Sequence, residues 1–363
     1  MDAMKILFVT DHVILSPNRA TLHFTAIEAS RAGHSVTVLT TGLSFLSILR
    51  RDYRLRYYKL FNQSVDYHGI KSLIQWSIIH PQNLKSSALN SLARQLMSGY
   101  HINPTLDRHL GDSFDRIVVE SGVSVSIYPE LKRRYPAAKF TYLVNDDVLT
   151  LRMHPIVIES DRYMHADCDD VVICAPLLAE RYTKGRLVEH GIDRDAFDKV
   201  YSSPYTDGRQ SIVSIGTMLN DDDLLTSLAE TLSDCDIHVI GPRPRSNVPV
   251  NLIMHGRLPF ERTIPFIQHA DVGLAPYKWR PNSEYLAESS LKIKQYEYCG
   301  IPVVCPDFAV GRYSQRIGYR AGNLNSARDA INTALSVGRS PTGLGARGWD
   351  EITALILDDS NGI

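Results

Sequence analysis

Two successive series of short β-branched runs, each interleaved with amphipathic stretches, constrain this chain more than any single motif. In the first half, residues 5–10, 35–39, 116–120, 139–144 and 171–174 are short and rich in Val, Ile, Phe or Tyr. Residues 20–32 and 124–135 between them carry helical apolar spacing. Such strand–helix–strand repetition predicts an α/β fold with a parallel sheet and helices on both faces. A second series follows the loop at 201–209, with strands at 211–215, 237–240, 252–255, 272–275 and 302–305 and helices at 221–232, 259–269 and 288–298. We expect two doubly wound, Rossmann-like domains, residues 1–205 and 206–345. Residues 346–357 read as an amphipathic helix, and the segment 346–363 is expected to pack back on the first domain. Ligands of such sheets sit beyond the carboxyl ends of the strands, so two facing domains would share a central cleft.

Length and composition agree with that reading and remove other classes. A chain of 363 residues is long for one domain and comfortable for two. Its net charge of −1 argues against a nucleic-acid binder working by bulk charge. The five cysteines form no metal-ligand spacing, and their odd number fits free thiols in a reducing compartment. No run of 18 apolar residues is present, and a strand beginning at residue 5 leaves no room for a signal peptide, so a cytoplasmic location is expected. No GxGxxG follows a strand, which disfavours an oxidoreductase.

The stretch 285–305 carries the densest chemistry. Gly300 ends a helical segment, and Pro302, Val303 and Val304 supply the next buried strand. The opening turn holds Glu288, Ser289, Ser290, Leu291 and Lys292. Free backbone N–H groups, two hydroxyls and an amine at a helix start make a ready anion site. One turn further, Gln295 can present its amide to a sugar or a base.

Taken in order, several landmarks carry a resemblance. They are residues 187–193 (Leu-Val-Glu-His-Gly-Ile-Asp), the run Ser214 to Met218, Gly241 with Pro242, His255 with Gly256, Ala275 to Tyr277, and the helix of Lys292 and Gln295. This set resembles the GT-B superfamily of glycosyltransferases across nearly the whole chain. More narrowly, residues 289–304 together with 144–147 resemble the GumK-type glucuronosyltransferases of xanthan assembly. That resemblance implies an inverting, metal-independent, membrane-associated enzyme. It would move glucuronate from UDP-glucuronate onto a polyprenyl-diphosphate-linked oligosaccharide. The loop 10–19 has no glycine and the paired glutamates of retaining GT-B enzymes are not evident, so the inverting reading gains. A GT-B enzyme using another UDP-sugar, a GT-B UDP-sugar 2-epimerase and a catalytically silent sugar-nucleotide binder are the competitors.

An inverting displacement needs a base on the acceptor hydroxyl and stabilisation of the departing diphosphate. Asp146 and Asp147 follow the strand at 139–144 and are the candidate bases, Asp146 being favoured. Their bland reading is an Asx turn. Asp11 and Glu120, also at strand ends, are weaker candidates. For the donor, Lys292, Ser289, Ser290, Leu291 and Gln295 are joined by Tyr277 and by the turn Gly216, Thr217 and Met218. A glucuronate carboxylate needs a cation, and Arg257, Arg280 and Lys292 are in reach of that role. Asp221, Asp222 and Asp223 precede a helix and read as a cap rather than a metal site. No metal or other cofactor is expected.

Residues 45–61 mix five cations and one acid with aromatic and aliphatic side chains, and residues 44–104 hold eight Lys/Arg against two Asp/Glu. Interleaved apolar and basic residues suit an anionic membrane surface, with Trp76 and Tyr100 as further anchors. The bland reading is a solvated basic face. The expected partners are thus a UDP-sugar, a lipid-linked acceptor and the inner face of the plasma membrane, with no nucleic acid.

Overall fold

A computed structural model describes residues 3–206, 208–340 and 345–358. It divides into two compact units, Met1–Glu189 with Asp350–Ile363, and His190–Trp349. The division falls before His190 rather than near residue 205, because the intervening segment is bound by the second unit. Gln268 Nε2 donates to Phe197 O and Lys199 O at 2.8 Å each, and Tyr205 Oη donates to Phe266 O at 2.7 Å. Of the segment 346–363, residues 359–363 lie outside the described residues.

Among the described residues the first unit holds an eight-stranded sheet: β1 Lys5–Thr10, β2 Ser35–Thr40, β3 Ser64–Tyr67, β4 Ile70–Ile74, β5 Arg116–Glu120, β6 Lys139–Val144, β7 Asp170–Ile173 and β8 Gly185–Leu187. Its helices are α1 Thr21–Arg31, α2 Phe45–Leu49, α3 Ser87–Ser98, α4 Tyr128–Arg134 and α5 Pro155–Asp167. The spatial order is β3-β4-β2-β1-β5-β6-β7-β8. Every pairing is parallel except β3 with β4. Central strands of a parallel sheet are covered on both faces, which explains why β1 is buried from Ile6 to Thr10. The chain runs outward from β1 to one side through β2 and β4, then returns to place β5 on its other side. The topological switch point, where α/β sheets hold ligands, therefore lies between the ends of β1 and β5.

The β3–β4 hairpin was not expected. Its loop is His68 and Gly69, with φ of 52° and 82°, between the paired Tyr67 and Ile70. Two positive φ values in a two-residue loop match the right-handed twist of the strands it joins.

The second unit holds, among its described residues, β9 Gln210–Ile215, β10 Cys235–Ile240, β11 Leu252–Gly256, β12 Val272–Leu274, β13 Val303–Pro306 and β14 Ile317–Tyr319. They form one parallel sheet in the order β11-β10-β9-β12-β13-β14. The helices are α6 Arg194–Phe197, α7 Asp222–Thr231, α8 Phe260–His269, α9 Leu286–Ser289, α10 Leu291–Tyr298 and α11 Leu324–Val337, and α12 Trp349–Leu357 closes the chain. The core joins Leu224, Leu225 and Leu228 of α7 to Ile237, Val239, Val272 and Leu274 of the sheet and to Ala327, Ile331 and Ala334 of α11. Here the switch point falls between β9 and β12. A Cβ on Gly273 would lie 2.5 Å from the Tyr296 ring, so this glycine lets α10 pack directly on β12. All five cysteines are free and buried.

One expected helix is two. The segment 288–298 breaks at Ser290, whose ψ of 105° leaves the helical region so that its side chain can cap α10.

From Asp350 onward α12 is held by guanidinium groups of the first unit. Arg186 donates to Leu355 O at 2.8 Å and Ile356 O at 3.0 Å while paired with Asp170 at 2.8 Å, and buried Arg116 donates to Ile356 O at 3.3 Å. These bonds satisfy carbonyls that every helix leaves unpaired at its end. Arg186→Ala should lower the urea-unfolding stability by about 2–3 kcal/mol, since charge-assisted bonds to carbonyls are lost. An unchanged midpoint would show that the helix docks by its apolar face alone.

Candidate active site

In the first domain three neighbouring strand ends converge. Thr10 ends β1 and Asp11 and His12 follow it, Glu120 ends β5 and Ser121 and Gly122 follow it, and Asn145 to Asp147 follow β6. Asp11 is consumed by structure. It accepts from Val123 N at 3.0 Å, Ser124 Oγ at 2.9 Å and Thr41 Oγ1 at 3.1 Å. Gly122 has φ 133°, and a Cβ there would stand 2.8 Å from Asp11 Oδ2, so only glycine admits this approach. Buried Glu120 accepts from Thr10 Oγ1 at Oε2 and from Asn145 Nδ2 at Oε1, the latter at 2.7 Å; His12 Nε2 lies 3.9 Å from the same Oε2.

The two candidate bases separate. Asp147 is buried, pairs with Arg181, and accepts from Leu149 N at 2.9 Å as the anchor of a turn. Burial raises its carboxyl above the ordinary range, while the Leu149 amide and Arg181 oppose that shift. Arg181 also pairs with buried Asp161, which accepts from the Tyr182 hydroxyl at 2.8 Å and from that of Tyr142. Asp147 is thus committed to the loop. Asp146 is half-buried, and its backbone N–H donates to Ser121 Oγ at 3.1 Å. Fixed neighbours on both sides place Asp146 at the carboxyl end of β6.

In the second domain the strand ends beside the switch point gather most of the expected donor-side residues. Gly216, with φ 98°, ends β9, and a Cβ there would lie 3.4 Å from Lys292 Cε and 3.5 Å from Nζ. Gly241 presses on the Gly216 backbone from the neighbouring strand, where a Cβ would come within 3.2 Å. Tyr277 follows β12, is buried, and shares a 2.6 Å hydrogen bond with Ser290 Oγ. Lys292 Nζ stands 4.7 Å from the Tyr277 ring centroid, a cation–π separation. The residue is half-buried as a whole, but its Nζ is shielded from solvent and has no hydrogen-bond partner among the described residues. Burial lowers its pKa to about 7.

Around that amine, Ser290 caps α10 by accepting from Ile293 N, and the first turn of α10 carries no acid. Gln295, one turn on, shares a face with Lys292. Thr217 is exposed, and Met218 and Leu291 are half-buried. Ser289 is buried, and its carbonyl accepts from His190 Nδ1 at 2.9 Å. Arg257 is exposed and Arg280 half-buried, whereas Lys292 alone of the three carries a solvent-shielded head group. Asp221 caps α7 by accepting from Leu224 N at 3.2 Å, and Lys278 pairs with Asp221 and Asp223 at 3.5 and 3.0 Å. These acids stabilise a helix start.

The basic tract changes in detail. Phe45, Ile48 and Leu49 of α2 are 57%, 52% and 81% exposed, and Leu89, Leu92 and Leu96 form an exposed apolar ridge along α3. Arg50, Arg51, Arg56 and Lys59 are exposed beside α2. Arg54 is not part of this face. It points inward, donating to Asp11 O at 2.6 Å, Thr41 O at 3.1 Å and Gly42 O at 2.8 Å. Tyr100 is buried with its hydroxyl bound by Gly42 N at 2.9 Å, and half-buried Trp76 stacks on Phe61. Neither is a surface anchor. No helix among the described residues is long and apolar enough to cross a membrane.

Two mostly parallel-sheet domains, each wound outward from its own switch point, have the GT-B fold. More narrowly, the chain is similar to the GumK-type glucuronosyltransferases. Residues 8–174 match the family model described as glucuronosyltransferase GumK, N-terminal domain. A UDP-glucuronate:glycolipid 2-beta-glucuronosyltransferase of Xanthomonas campestris pv. campestris is 29% identical over 360 residues, covering 97% of this chain and 89% of that protein. Among solved structures, the trehalose-6-phosphate synthase OtsA matches with a TM-score of 0.62 at 12% identity, over 98% of this chain and 94% of that one. A sucrose-phosphate synthase from Thermosynechococcus elongatus matches at 0.59 and 11%, over 97% and 94%. These two likenesses show the fold.

Lys292 carries a stability cost with a defined sign. Its folded pKa of about 7 lies below its ordinary 10.5, so the unfolded chain binds the proton more tightly between those values. The cost is full below pH 7 and fades as pH rises toward 10.5. Lys292→Met should therefore stabilise the ligand-free protein by about 2 kcal/mol at pH 6.5, less than full linkage because water reaches relaxed lysines. Thermal denaturation at pH 6.5 and 9.5 tests this; a gain that does not shrink with pH would refute it.

Proposed function

We propose that this chain transfers glucuronate from UDP-glucuronate, with inversion, to a polyprenyl-diphosphate-linked oligosaccharide in the assembly of a xanthan-like exopolysaccharide. The observation that carries this reading is the Lys292 amine, solvent-shielded and without a hydrogen-bond partner among the described residues, beside Gly216 and in a first turn of α10 that carries no acid. Such a group is satisfied by an anion, and a diphosphate at a helix start is the anion this geometry suits. The similarity to an enzyme named for UDP-glucuronate and a glycolipid supports the choice of donor and acceptor.

In the proposed reaction the acceptor oxygen bonds to the anomeric carbon as the bond from that carbon to the phosphate oxygen breaks. The electron pair leaves on the diphosphate, whose charge is met by Lys292, by α10 N–H groups and by the Ser290 and Tyr277 hydroxyls. No metal is needed for that charge. The acceptor proton passes to Asp146. Asp147 is unsuited to the task, because Arg181 and its turn already occupy it. Gln295, Ser289, Leu291, Thr217 and Met218 line the donor side by position.

Binding an anion will raise the proton affinity of Lys292, so nucleotide binding near pH 8 should take up a proton and tighten as pH falls toward 7. Calorimetry with UDP-glucuronate, UDP-glucose and UDP-galactose measures both selectivity and proton uptake. Comparable affinity for the three sugars would remove glucuronate. Lys292→Ala should weaken UDP-glucuronate by about 100-fold, as loss of a charge-assisted contact costs ~2–3 kcal/mol. Asp146→Asn should cut turnover at least ~100-fold and leave donor affinity intact.

We further propose that α2 and the α3 ridge rest on an anionic membrane, holding the enzyme peripherally at the inner face of the plasma membrane. Replacing Leu89, Leu92 and Leu96 with Ser should reduce sedimentation with phosphatidylglycerol vesicles by at least ~10-fold, given the apolar area withdrawn. Unchanged sedimentation of that variant would end the membrane proposal.

A further inference from the structure

We infer that His12 is a second catalytic residue on the acceptor side, oriented by the buried Glu120 carboxylate. The inference rests on the glycosyl-transfer reading and adds a residue to it. His12 directly follows β1 at the switch point, where Glu120 ends the neighbouring strand. Its backbone is fixed from both directions: its N–H donates to Thr10 Oγ1 at 3.0 Å and its carbonyl accepts from Thr40 Oγ1 at 2.7 Å. The ring is less constrained. Its side chain is 42% exposed, with Nε2 facing Glu120 Oε2 at 3.9 Å and no partner for Nδ1 among the described residues.

Glu120 is an unusual group for a strand end. Its side chain is 6% exposed, its bonded partners are the neutral Thr10 hydroxyl and Asn145 amide, and His12 Nε2 stands 3.9 Å away. A buried carboxylate without a bonded cation is costly to keep, and a purely structural site is served as well by a glutamine. Glu120 also ties His12 to Asp146, since the Asn145 side chain it holds belongs to the adjacent residue. A carboxylate that draws Nε2–H toward itself leaves the Nδ1 lone pair for substrate. The separation of 3.9 Å is an ion-pair distance, and such contacts shorten when substrate seats the ring. The neighbouring His23 does not compete. It is buried, its pKa is lowered to about 3, and it bonds Val13 O at 2.9 Å and Ala20 N at 3.0 Å. Arg19, in the same loop, is the other charge acting on this histidine pair.

In the step proposed, Nδ1 of neutral His12 accepts a hydrogen bond from the acceptor sugar and fixes the attacking hydroxyl. The proton still goes to Asp146, the new bond forms from acceptor oxygen to anomeric carbon, and the phosphate leaves with its electron pair. His12 neither gains nor loses a proton.

The test uses the full chain with UDP-glucuronate and a short-chain polyprenyl-diphosphate oligosaccharide. His12→Ala should lower kcat/KM for the acceptor by about 10–100-fold, the effect of one substrate hydrogen bond made in the transition state, and leave the affinity for UDP unchanged. His12→Asn, whose Oδ1 occupies the Nδ1 position, should restore most of the loss. Glu120→Gln should fall between the two. His12→Ala within twofold of wild type would overturn the inference, as would His12→Asn no better than alanine. If wild type itself fails to transfer glucuronate but transfers another sugar, the donor reading falls and the His12 comparison is run with that sugar.

Discussion

The reversal of winding direction at one point in each sheet is the constraint on which the chemistry depends. A parallel sheet covered by helices has every strand end roofed by the connection to its neighbour, except where the chain changes direction. In the first sheet that exception lies between β1 and β5, and in the second between β9 and β12. His12, Glu120 and Gly122 occupy the first gap; Gly216, Tyr277 and Lys292 lie at or beside the second. Glycines at both places serve the same end. Gly122 lets the β5 loop close onto Asp11, and the missing side chain of Gly216 leaves room beside the Lys292 head group. The same winding rule thus supplies, in each domain, a cluster of its own electrostatic character.

The two clusters handle charge differently. On the first domain, carboxylates are held mostly by neutral donors: Asp11 by hydroxyls and an amide, Glu120 by a hydroxyl and an amide side chain. Neutral donors fix the geometry of these carboxylates without pairing them to a cation. Asp147 is the exception, being paired with Arg181. On the second domain the amine is kept from solvent with an aromatic face in place of a carboxylate. An acid beside Lys292 would pay its desolvation in advance and forfeit its use for an anion. Native stability is sacrificed at Lys292 for charge that is realised only with a ligand bound.

Much of this was legible in the sequence, and the misses have physical causes. Central strands announce themselves because burial on both faces forces continuous apolar runs, and β1, β5, β6 and β9 fall where those runs predict. The Gly216, Tyr277, Ser290 and Lys292 set was readable from helix-start chemistry and glycine placement. The β3–β4 hairpin was hidden, because Ser64–Tyr67 is short, polar and only partly buried. The break at Ser290 was hidden too, since a capping serine inside a helical pattern looks like any other serine. Arg54 and Tyr100 were misplaced by composition. A charge tract does not reveal which member turns inward, and here one guanidinium satisfies three loop carbonyls. His12 drew no notice because only its position beside a switch point distinguishes it, and strand order is not written in spacing.

Arg54 and Tyr100 also join features that seem separate. Arg54 binds the carbonyls of Asp11, Thr41 and Gly42, and Tyr100 binds the Gly42 amide from the end of α3. Asp11 in turn holds the loop after β5 through Val123 and Ser124. The exposed apolar helices are therefore linked by hydrogen bonds to the strand ends that carry His12 and Glu120. Few of these bonds are long side chains reaching across solvent; most end on backbone groups, which have little freedom to yield. One short network, completed by Arg54 and Tyr100, thus holds the loops after β1, β2 and β5 against one another.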